Sequence, residues 1–272
     1  MMARRTGNAA DAPFAPAPLE EVVARIRAER PAAVFAPHVE TSAGMILPDD
    51  YIRSVTEAVH EVGGLFVLDC IASGCAWVDM RALGVDVLIS APQKGWSASP
   101  SAGMVMLSEA AKARAKARSS TSYAVDLGKW LAIMETYEGG GHAYHATMPT
   151  DALRGLRDTM QEMDAFGFDR LKDAQWEQGS RVRGLLARKG VRSVAAEGFH
   201  APGVVVSYTD DPDVQAGRKF AGLGMQIAAG VPLQVGEGAD FRTFRIGLFG
   251  LDKLKDVDAS VARLEAVLDR VL

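Results

Sequence analysis

The sequence predicts an α/β protein with parallel strands in its first half and a smaller α+β region after them. Apolar segments of strand length alternate with amphipathic segments of helix length over the first hundred residues, and this alternation is typical of βαβ units. The strand-like segments lack polar alternation, as expected of strands buried on both faces. Beyond residue 189 the order of helices and strands changes, which indicates a second region of different construction.

The first βαβ unit is predicted between residues 18 and 69. The run LEEVVARIRAER has an apolar face of helical spacing, and Pro31 ends it. A short apolar strand, 33–36, follows. The next helix, 48–62, opens with a proline and two aspartates and stops at two glycines, after which LFVLD (65–69) forms a strand.

The rest of the chain divides into two further strands, a long helical segment and a mixed region. DVLIS (86–90) and GMVML (103–107) are the strands, and the basic run 112–118 is a solvated helix end. Helical spacing dominates 150–189, with a break at Gly167. The mixed region is predicted as a strand at 204–208, a helix near 214–223, a strand at 241–247 and a helix at 257–272. We therefore predict a linker or altered start at 1–14, a large domain at 15–165 and a small domain at 166–272.

Composition excludes several classes of function. The chain has 272 residues, 48% of them apolar, and a net charge of −4, which gives no field to attract nucleic acid or an anionic membrane. No signal peptide or membrane-spanning stretch is evident, so a cytoplasmic location is expected. Cys70 and Cys75 fit neither a disulfide framework nor a zinc site, and His142 and His145 lack a companion ligand. No metal is predicted.

Polar residues follow three of the predicted strands, where an open α/β sheet forms its ligand-binding crevice. They are the segment from His38 to Ser42, then Asp69, then Lys94. A carboxylate and an amine at neighbouring strand ends suit a site where the acid holds a heterocycle and the amine forms an imine with an aldehyde.

Five segments carry a family resemblance: HVETSAG (38–44), LDCIASG (68–74), SAPQKGW (90–96), YHATMP (144–149) and FRIGLFG (244–250). In this order they resemble the signature segments of class V aminotransferases of the alanine/serine–glyoxylate type, which use pyridoxal 5'-phosphate (PLP). The resemblance implies the large domain of fold type I, incomplete at its N-terminus, with a smaller C-terminal α+β domain. It also implies transfer of an amino group from alanine or serine to a small 2-oxo acid such as glyoxylate.

The resemblance assigns the cofactor contacts residue by residue. Lys94 is the expected Schiff-base lysine, and Asp69 is expected to pair with the pyridinium nitrogen. Ile71 would pack under the ring, Ser42 would lie near the phenolic oxygen, and Gln93 would reach the phosphate.

Two further assignments involve the substrate and a second subunit. Tyr144 and Thr147 match residues that in this family reach the phosphate of the neighbouring subunit's cofactor, so the resemblance implies a homodimer. Arg245 matches the arginine that forks the substrate carboxylate, a task that suits the planar guanidinium.

Structural alternatives stay open for several of these residues. Arg245 could be an ordinary strand arginine, and Thr147 could cap a helix ahead of Pro149. His38 and Glu40 could hold their loop and not contact the ligand. Trp96 is interpreted as a packing residue at the site wall.

The chain also departs from the family, whose members are longer at the N-terminus. The phosphate-gripping loop and the stacking aromatic ring of that region have no counterpart here. An exposed sheet edge and exposed apolar surface follow. A truncated, non-catalytic chain that binds PLP weakly or not at all is therefore the second hypothesis. A cysteine desulfurase-like enzyme is a third, which Gln93 and the lack of a cysteine loop disfavour.

Overall fold

The computed structural model describes all 272 residues and contains eleven strands and ten helices. The strands are β1 (Arg4–Arg5), β2 (Phe14–Ala15), β3 (Ala33–Pro37), β4 (Val39–Glu40), β5 (Met45–Ile46), β6 (Leu65–Asp69), β7 (Val87–Ser90), β8 (Met104–Leu107), β9 (Val204–Tyr208), β10 (Ala228–Ala229) and β11 (Thr243–Gly247). The helices are α1 (Leu19–Glu29), α2 (Asp49–Glu61), α3 (Glu109–Lys116), α4 (Leu127–Glu138), α5 (Thr150–Phe166), α6 (Phe168–Arg188), α7 (Pro212–Gln215), α8 (Arg218–Ala221), α9 (Leu251–Lys255) and α10 (Val257–Val271).

The main sheet has four strands in the order β3-β6-β7-β8. Strands β3, β6 and β7 are parallel, and their register aligns Pro37 with Asp69 and Asp69 with Ile89. The carboxyl ends of the three strands therefore lie side by side, as the sequence predicts for the site.

The prediction of a buried parallel strand at 103–107 is wrong. Strand β8 is antiparallel to β7, and Val105 and Met106 are each 37% exposed. The connection from Ser90 to Met104 contains no crossover helix, and without a crossover the chain returns antiparallel. The sheet is mixed, and its last strand forms an edge.

One face of the main sheet is covered by α1 and α2, as the first βαβ unit predicts. Ile52, Val55 and Val59 of α2 pack with Phe66, Leu68 and other apolar residues of the strands in one buried cluster. The opposite face is less covered: Phe35 of β3 is 73% exposed, although it belongs to an apolar run. An apolar strand is thus left partly bare, in agreement with the predicted exposed surface.

The C-terminal region forms a second sheet of order β10-β11-β9, all antiparallel. Helices α6 and α10 pack on it through Val182, Leu264 and Leu268, in a cluster that also holds Phe244 of β11. The helix predicted near 214–223 is instead two short helices, because Gly217 between them adopts φ 75°.

The first residues of the chain pack against this C-terminal region. Strands β1 and β2 pair antiparallel, Phe14 is 1% exposed, and its backbone bonds to Val194 and Ala196. The segment that composition predicts as a linker or altered start forms a hairpin in the structure. The buried side chain of Phe14 anchors this hairpin. Helices α5 and α6 meet at Gly167, with φ 103°. The domain boundary at residue 166 stays a prediction.

No helix is both long and apolar enough to cross a lipid bilayer.

Candidate functional site

Asp69 and His38 meet at the carboxyl edge of the main sheet. The backbone N–H of His38 donates to the carbonyl of Asp69 at 2.8 Å. The Asp69 side chain is half-buried, and its Oδ1 accepts the backbone N–H of Ile71 at 2.9 Å. Oδ2 forms no hydrogen bond and no ion pair within the protein. The carboxylate is therefore held by one backbone amide, which leaves one oxygen available to a ligand.

Lys94 lies in the turn that follows β7. Its Nζ is 5.3 Å from the centre of the Phe249 ring, and it forms neither a hydrogen bond nor a salt bridge. The turn is pressed against the loop after β6, since a Cβ at Gly95 would overlap the carbonyl oxygen of Gly74. Backbone packing thus brings the loop that follows Asp69 into direct contact with the turn that carries Lys94.

A buried polar pair supports this edge. His38 is 3% exposed, and its Nδ1 lies 2.7 Å from Ser73 Oγ. Burial lowers the pKa of His38 to about 4, so the ring is neutral at physiological pH. His38 therefore holds the loop after β6 and has no charge to offer a ligand.

Ser42 lies in a hairpin that the sequence does not predict, formed by β4 and β5. Both oxygens of Glu40 accept backbone N–H groups of the turn, from Ser42 and Ala43, each at 2.8 Å. Glu40 thus holds its loop, as the structural alternative proposed. The Ser42 hydroxyl forms no hydrogen bond within the protein.

The Ser42 hairpin is also held from outside by Arg183 of α6. This guanidinium donates to the carbonyl oxygens of Gly44 at 3.2 Å, Ala201 at 2.9 Å and Val204 at 3.1 Å. Burial lowers its pKa to about 10, which leaves it protonated at neutral pH. The C-terminal region therefore fixes the hairpin that carries one of the predicted cofactor residues.

The remaining residues near the Lys94 turn differ in exposure. Ile71 is half-buried beside Asp69, and Gln93 is exposed. Trp96 donates from its Nε1 to Ser90 at 3.1 Å, and its ring lies 5.0 Å from that of Trp77. Trp96 is a packing residue, as predicted.

Tyr144 and Thr147 lie apart from these residues, in the segment between α4 and α5. Both are exposed, and their hydroxyls are 3.2 Å apart. No hydrogen bond joins them to Lys94 or Asp69. The alternative that Thr147 caps a helix is wrong, because α5 has Pro149 at its N-cap and no capping side chain.

Arg245 lies on β11, paired with Ala228 of β10. Its Nε donates to the carbonyl oxygen of Ala229 at 2.8 Å, while its two terminal nitrogens form no hydrogen bond or ion pair. One edge of the guanidinium is thus fixed by the backbone, and the fork that a carboxylate would bind is unused.

The residues fit one end of the cofactor that the resemblance implies. Asp69 presents a free carboxylate oxygen for a ring N–H, and Lys94 presents an unpaired amine for an aldehyde. For the phosphate this chain offers Gln93 near the Lys94 turn, without a cradle of backbone N–H groups at a helix N-terminus. Asp69 and Lys94 would thus suit the ring and the aldehyde of such a cofactor, and Gln93 would suit its phosphate.

The sequence assigned no role to three residues of this region. Ser73 and Phe249 belong to the quoted segments, but their contacts with His38 and Lys94 depend on loop packing. Arg183 lies within an ordinary amphipathic helix. Only its lack of a carboxylate partner, visible in the structure, distinguishes it.

The fold is that of PLP-dependent, fold type I aminotransferases. An alanine–glyoxylate aminotransferase from Nostoc superposes on 93% of the chain with a TM-score of 0.77 at 23% identity. A pyridoxamine–pyruvate aminotransferase from Mesorhizobium loti does so with the same score at 18% identity.

Curated transaminases are also similar to this chain in sequence. A 2-aminoethylphosphonate–pyruvate transaminase of Paraburkholderia phymatum is 29% identical over 96% of this chain and 68% of its own length. Alanine–glyoxylate aminotransferase 1 of Saccharomyces cerevisiae is 28% identical over 86% of this chain and 61% of its own. The chain is therefore similar in sequence to aminotransferases over most of its own length.

The chain is shorter than these relatives. It spans about two thirds of the length of those it matches over most of its own sequence. No family model matches the sequence.

Proposed function

We propose that this chain carries the cofactor-lysine part of a PLP-dependent aminotransferase. The observation that carries the proposal is the pair Asp69 and Lys94. Asp69 ends β6, Lys94 lies in the turn that packs against the loop after β6, and neither forms a salt bridge. Unpaired charges are costly in a partly buried site, and a ligand with a ring N–H and an aldehyde would use both.

PLP, when bound, supplies an electron-withdrawing ring to the amino group of the substrate. The Asp69 carboxylate would accept the N–H of that ring and hold its charge. Nζ of Lys94 would take the proton from the substrate α-carbon. It would then deliver that proton to the aldehyde-derived carbon of the cofactor. Ile71 would pack against the ring face, the Ser42 hydroxyl would bond near the phenolic oxygen, and Gln93 would reach the phosphate.

We propose Arg245 as the anchor of the substrate anion. Its free terminal nitrogens offer the fork that binds a carboxylate with two parallel hydrogen bonds. The substrates proposed are a small amino acid, alanine or serine, and a small 2-oxo acid such as glyoxylate. The Paraburkholderia phymatum relative supports a second pair, 2-aminoethylphosphonate and pyruvate, whose phosphonate and carboxylate both suit an arginine.

The assignments of a second subunit, a location and two domains are proposals that rest on the family resemblance and on composition. Tyr144 and Thr147 would serve the cofactor phosphate of a second subunit in a homodimer, and their exposure is compatible with that position. The location proposed is cytoplasmic, and the proposed domains are 15–165 and 166–272.

The desulfurase alternative lacks a suitable thiol. Cys70 and Cys75 are both buried, and burial raises the pKa of each to about 12. A catalytic cysteine needs an accessible thiolate. The non-catalytic alternative is decided by the experiment below.

The test is covalent capture of PLP by the folded chain. Wild type, Lys94→Ala and the exposed-lysine control Lys172→Ala are mixed with PLP, reduced with borohydride and analysed by intact mass and peptide mapping. We expect the wild type and the control to retain a reduced adduct at Lys94, and Lys94→Ala to lose it. Adducts spread over surface lysines, or none, would reject the proposal and favour a chain without PLP chemistry. Amino-donor assays with alanine, serine and 2-aminoethylphosphonate then choose among the substrates.

A further inference from the structure

The turn that carries Lys94 contains a strained backbone position at Ser97. The backbone N–H of Ser97 donates to the Lys94 carbonyl at 3.2 Å and closes the turn. Ser97 has φ 57°, in the left-handed region that a residue with a Cβ rarely adopts. Such a conformation persists only where surrounding contacts hold it, so the partners of Ser97 show what fixes the turn.

The contact that holds Ser97 comes from the far end of the chain. Its Oγ accepts the backbone N–H of Leu251, the first residue of α9, at 2.7 Å and across 154 residues of sequence. The residue that precedes α9 is Gly250, which has no side chain to accept this N–H. The Ser97 hydroxyl takes the place of a local cap and thereby joins the Lys94 turn to α9.

Apolar packing supports the same junction. Leu251 and Leu254 of α9 are buried in one cluster with Cys75 of the loop after β6, and Trp96, the neighbour of Ser97, packs against that cluster. Helix α9 therefore docks on the Lys94 turn and on the loop after β6 together. Because the Ser97 hydrogen bond is partly buried there, removal of its oxygen would leave the Leu251 N–H without a partner.

The segment between β11 and α9 places Phe249 beside the Lys94 amine. The centre of the Phe249 ring is 5.3 Å from Nζ. Three glycines of separate segments enclose the ring, since a Cβ would lie 2.9 Å from it at Gly203, 3.4 Å at Gly74 and 3.7 Å at Gly247. The ring therefore has little freedom of its own, and its distance from Nζ depends on how the segment is attached to the Lys94 turn.

The same segment begins with Arg245 on β11. The backbone N–H of Leu248 donates to the carbonyl of Gly203, beside β9, at 2.9 Å, so the second sheet fixes this end. Ser97 fixes the other end through α9. The separation of the Lys94 amine from the Arg245 guanidinium depends on both attachments.

We propose that Ser97 is a positioning residue, whose hydroxyl holds Phe249 against the Lys94 amine and fixes the separation of Lys94 from Arg245. This inference rests on the proposed function, in which Lys94 moves a proton on a substrate whose carboxylate Arg245 binds. A substrate that contacts both residues reacts efficiently only when their separation is fixed, because a small misplacement slows proton transfer. Ser97 acts through the turn and α9, and not by contact with the reacting atoms.

The first test needs no cofactor. Wild type, Ser97→Ala, Ser97→Gly and the exposed-serine control Ser119→Gly are compared by amide hydrogen exchange at Leu251 and by the rate at which acetic anhydride acetylates Lys94. Peptide mapping measures that rate against the exposed Lys172. Both Ser97 variants lose the Oγ, and the glycine also relieves the backbone. We expect each to accelerate both processes about fivefold, the equivalent of one hydrogen bond, and Ser119→Gly to change neither.

The second test is the single-turnover half-reaction of PLP-loaded protein with the amino donor that the assays above select. Both Ser97 variants should lower the limiting rate constant about fivefold. The half-saturating donor concentration should change little, because Arg245 keeps its place on β11. A purely structural loss would instead lower the amplitude, which counts folded protein, and leave the rate constant unchanged.

Three outcomes separate the inference from its alternatives. If Ser97→Gly behaved as the wild type, the backbone of the turn alone would position Lys94, and the proposal would be overturned. Faster exchange at Leu251 with unchanged acetylation of Lys94 would also overturn it, because the hydrogen bond would then stabilise α9 only. A wild type that captures no PLP would reject the proposed function, while exchange and acetylation would still decide whether Ser97 positions the amine.

Discussion

His38 couples the stability of the site to pH. Its ring is buried against Ser73, and burial lowers its pKa from 6.5 to about 4. In the unfolded chain the same ring takes up a proton near pH 6.5, so the unfolded state binds more protons between these values. The contribution of His38 to the free energy of unfolding is therefore full above pH 6.5. It falls by about 3 kcal/mol as the pH drops toward 4.

The measurement is urea unfolding of wild type and His38→Asn at pH 7 and at pH 4.5. The asparagine keeps a polar partner for Ser73 but cannot titrate, so the variant should lose less stability between the two pH values. His142→Asn, on an exposed histidine, should follow the wild type. Equal losses in wild type and His38→Asn would show that another group causes the pH dependence.

At the residue scale the sequence predicted positions better than contacts. The lengths of two apolar runs predicted that Asp69 and Lys94 follow neighbouring strands. In the structure Asp69 ends β6, and Lys94 lies in the turn after β7. Their lack of salt-bridge partners depends on side chains from distant segments. Glu40 could have served a ligand or its own turn, and only the two backbone N–H groups it accepts decide for the turn.

Two touching loops hold the candidate site together at the element scale. Gly95 has no room for a Cβ because the Gly74 backbone lies against it. Gly95→Ala must push the Lys94 turn away from the loop after β6, which we expect to cost about 1–3 kcal/mol of stability. It should also reduce PLP capture at Lys94. Urea unfolding and the borohydride assay measure the two effects.

A glycine-to-alanine substitution within a helix should change stability in the opposite direction. Gly155 lies within α5, and a Cβ there would meet no atom within 4 Å. Gly155→Ala should therefore stabilise the protein by about 0.5–1 kcal/mol, since alanine restricts the unfolded backbone. If both variants were destabilised alike, the close approach at Gly95 would not be the cause.

Elements with a strong period were predicted well. The helices α1, α2, α5, α6 and α10 lie where their apolar faces placed them, because each buries that face against a sheet or another helix. The hairpin of β4 and β5 was missed, since two-residue strands carry no periodic signal. The direction of β8 was also wrong, because direction depends on the path of the connection and not on the composition of the strand.

At the scale of the whole molecule, the N-terminal hairpin packs against segments far from it in the chain. Phe14 is enclosed with Val39, Val194 and Val204 in one cluster. Phe14→Ala would leave a cavity where three segments meet, and we expect a loss of about 3–5 kcal/mol. Thermal and urea unfolding measure it. Met2→Ala, on an exposed side chain of the same hairpin region, should change stability by no more than about 0.5 kcal/mol. A small effect at Phe14 would favour the prediction that residues 1–14 are a linker.

The α/β class, the order of the main elements and the strand ends near Asp69 and Lys94 could all be predicted from the sequence. These features are local, because periodicity, proline, glycine and apolar run length act over a few residues. The tertiary structure alone decided which loops touch, which charges stay unpaired and which strand becomes a bare edge. Those outcomes depend on packing between segments far apart in the chain, and no short stretch of sequence records what lies against it.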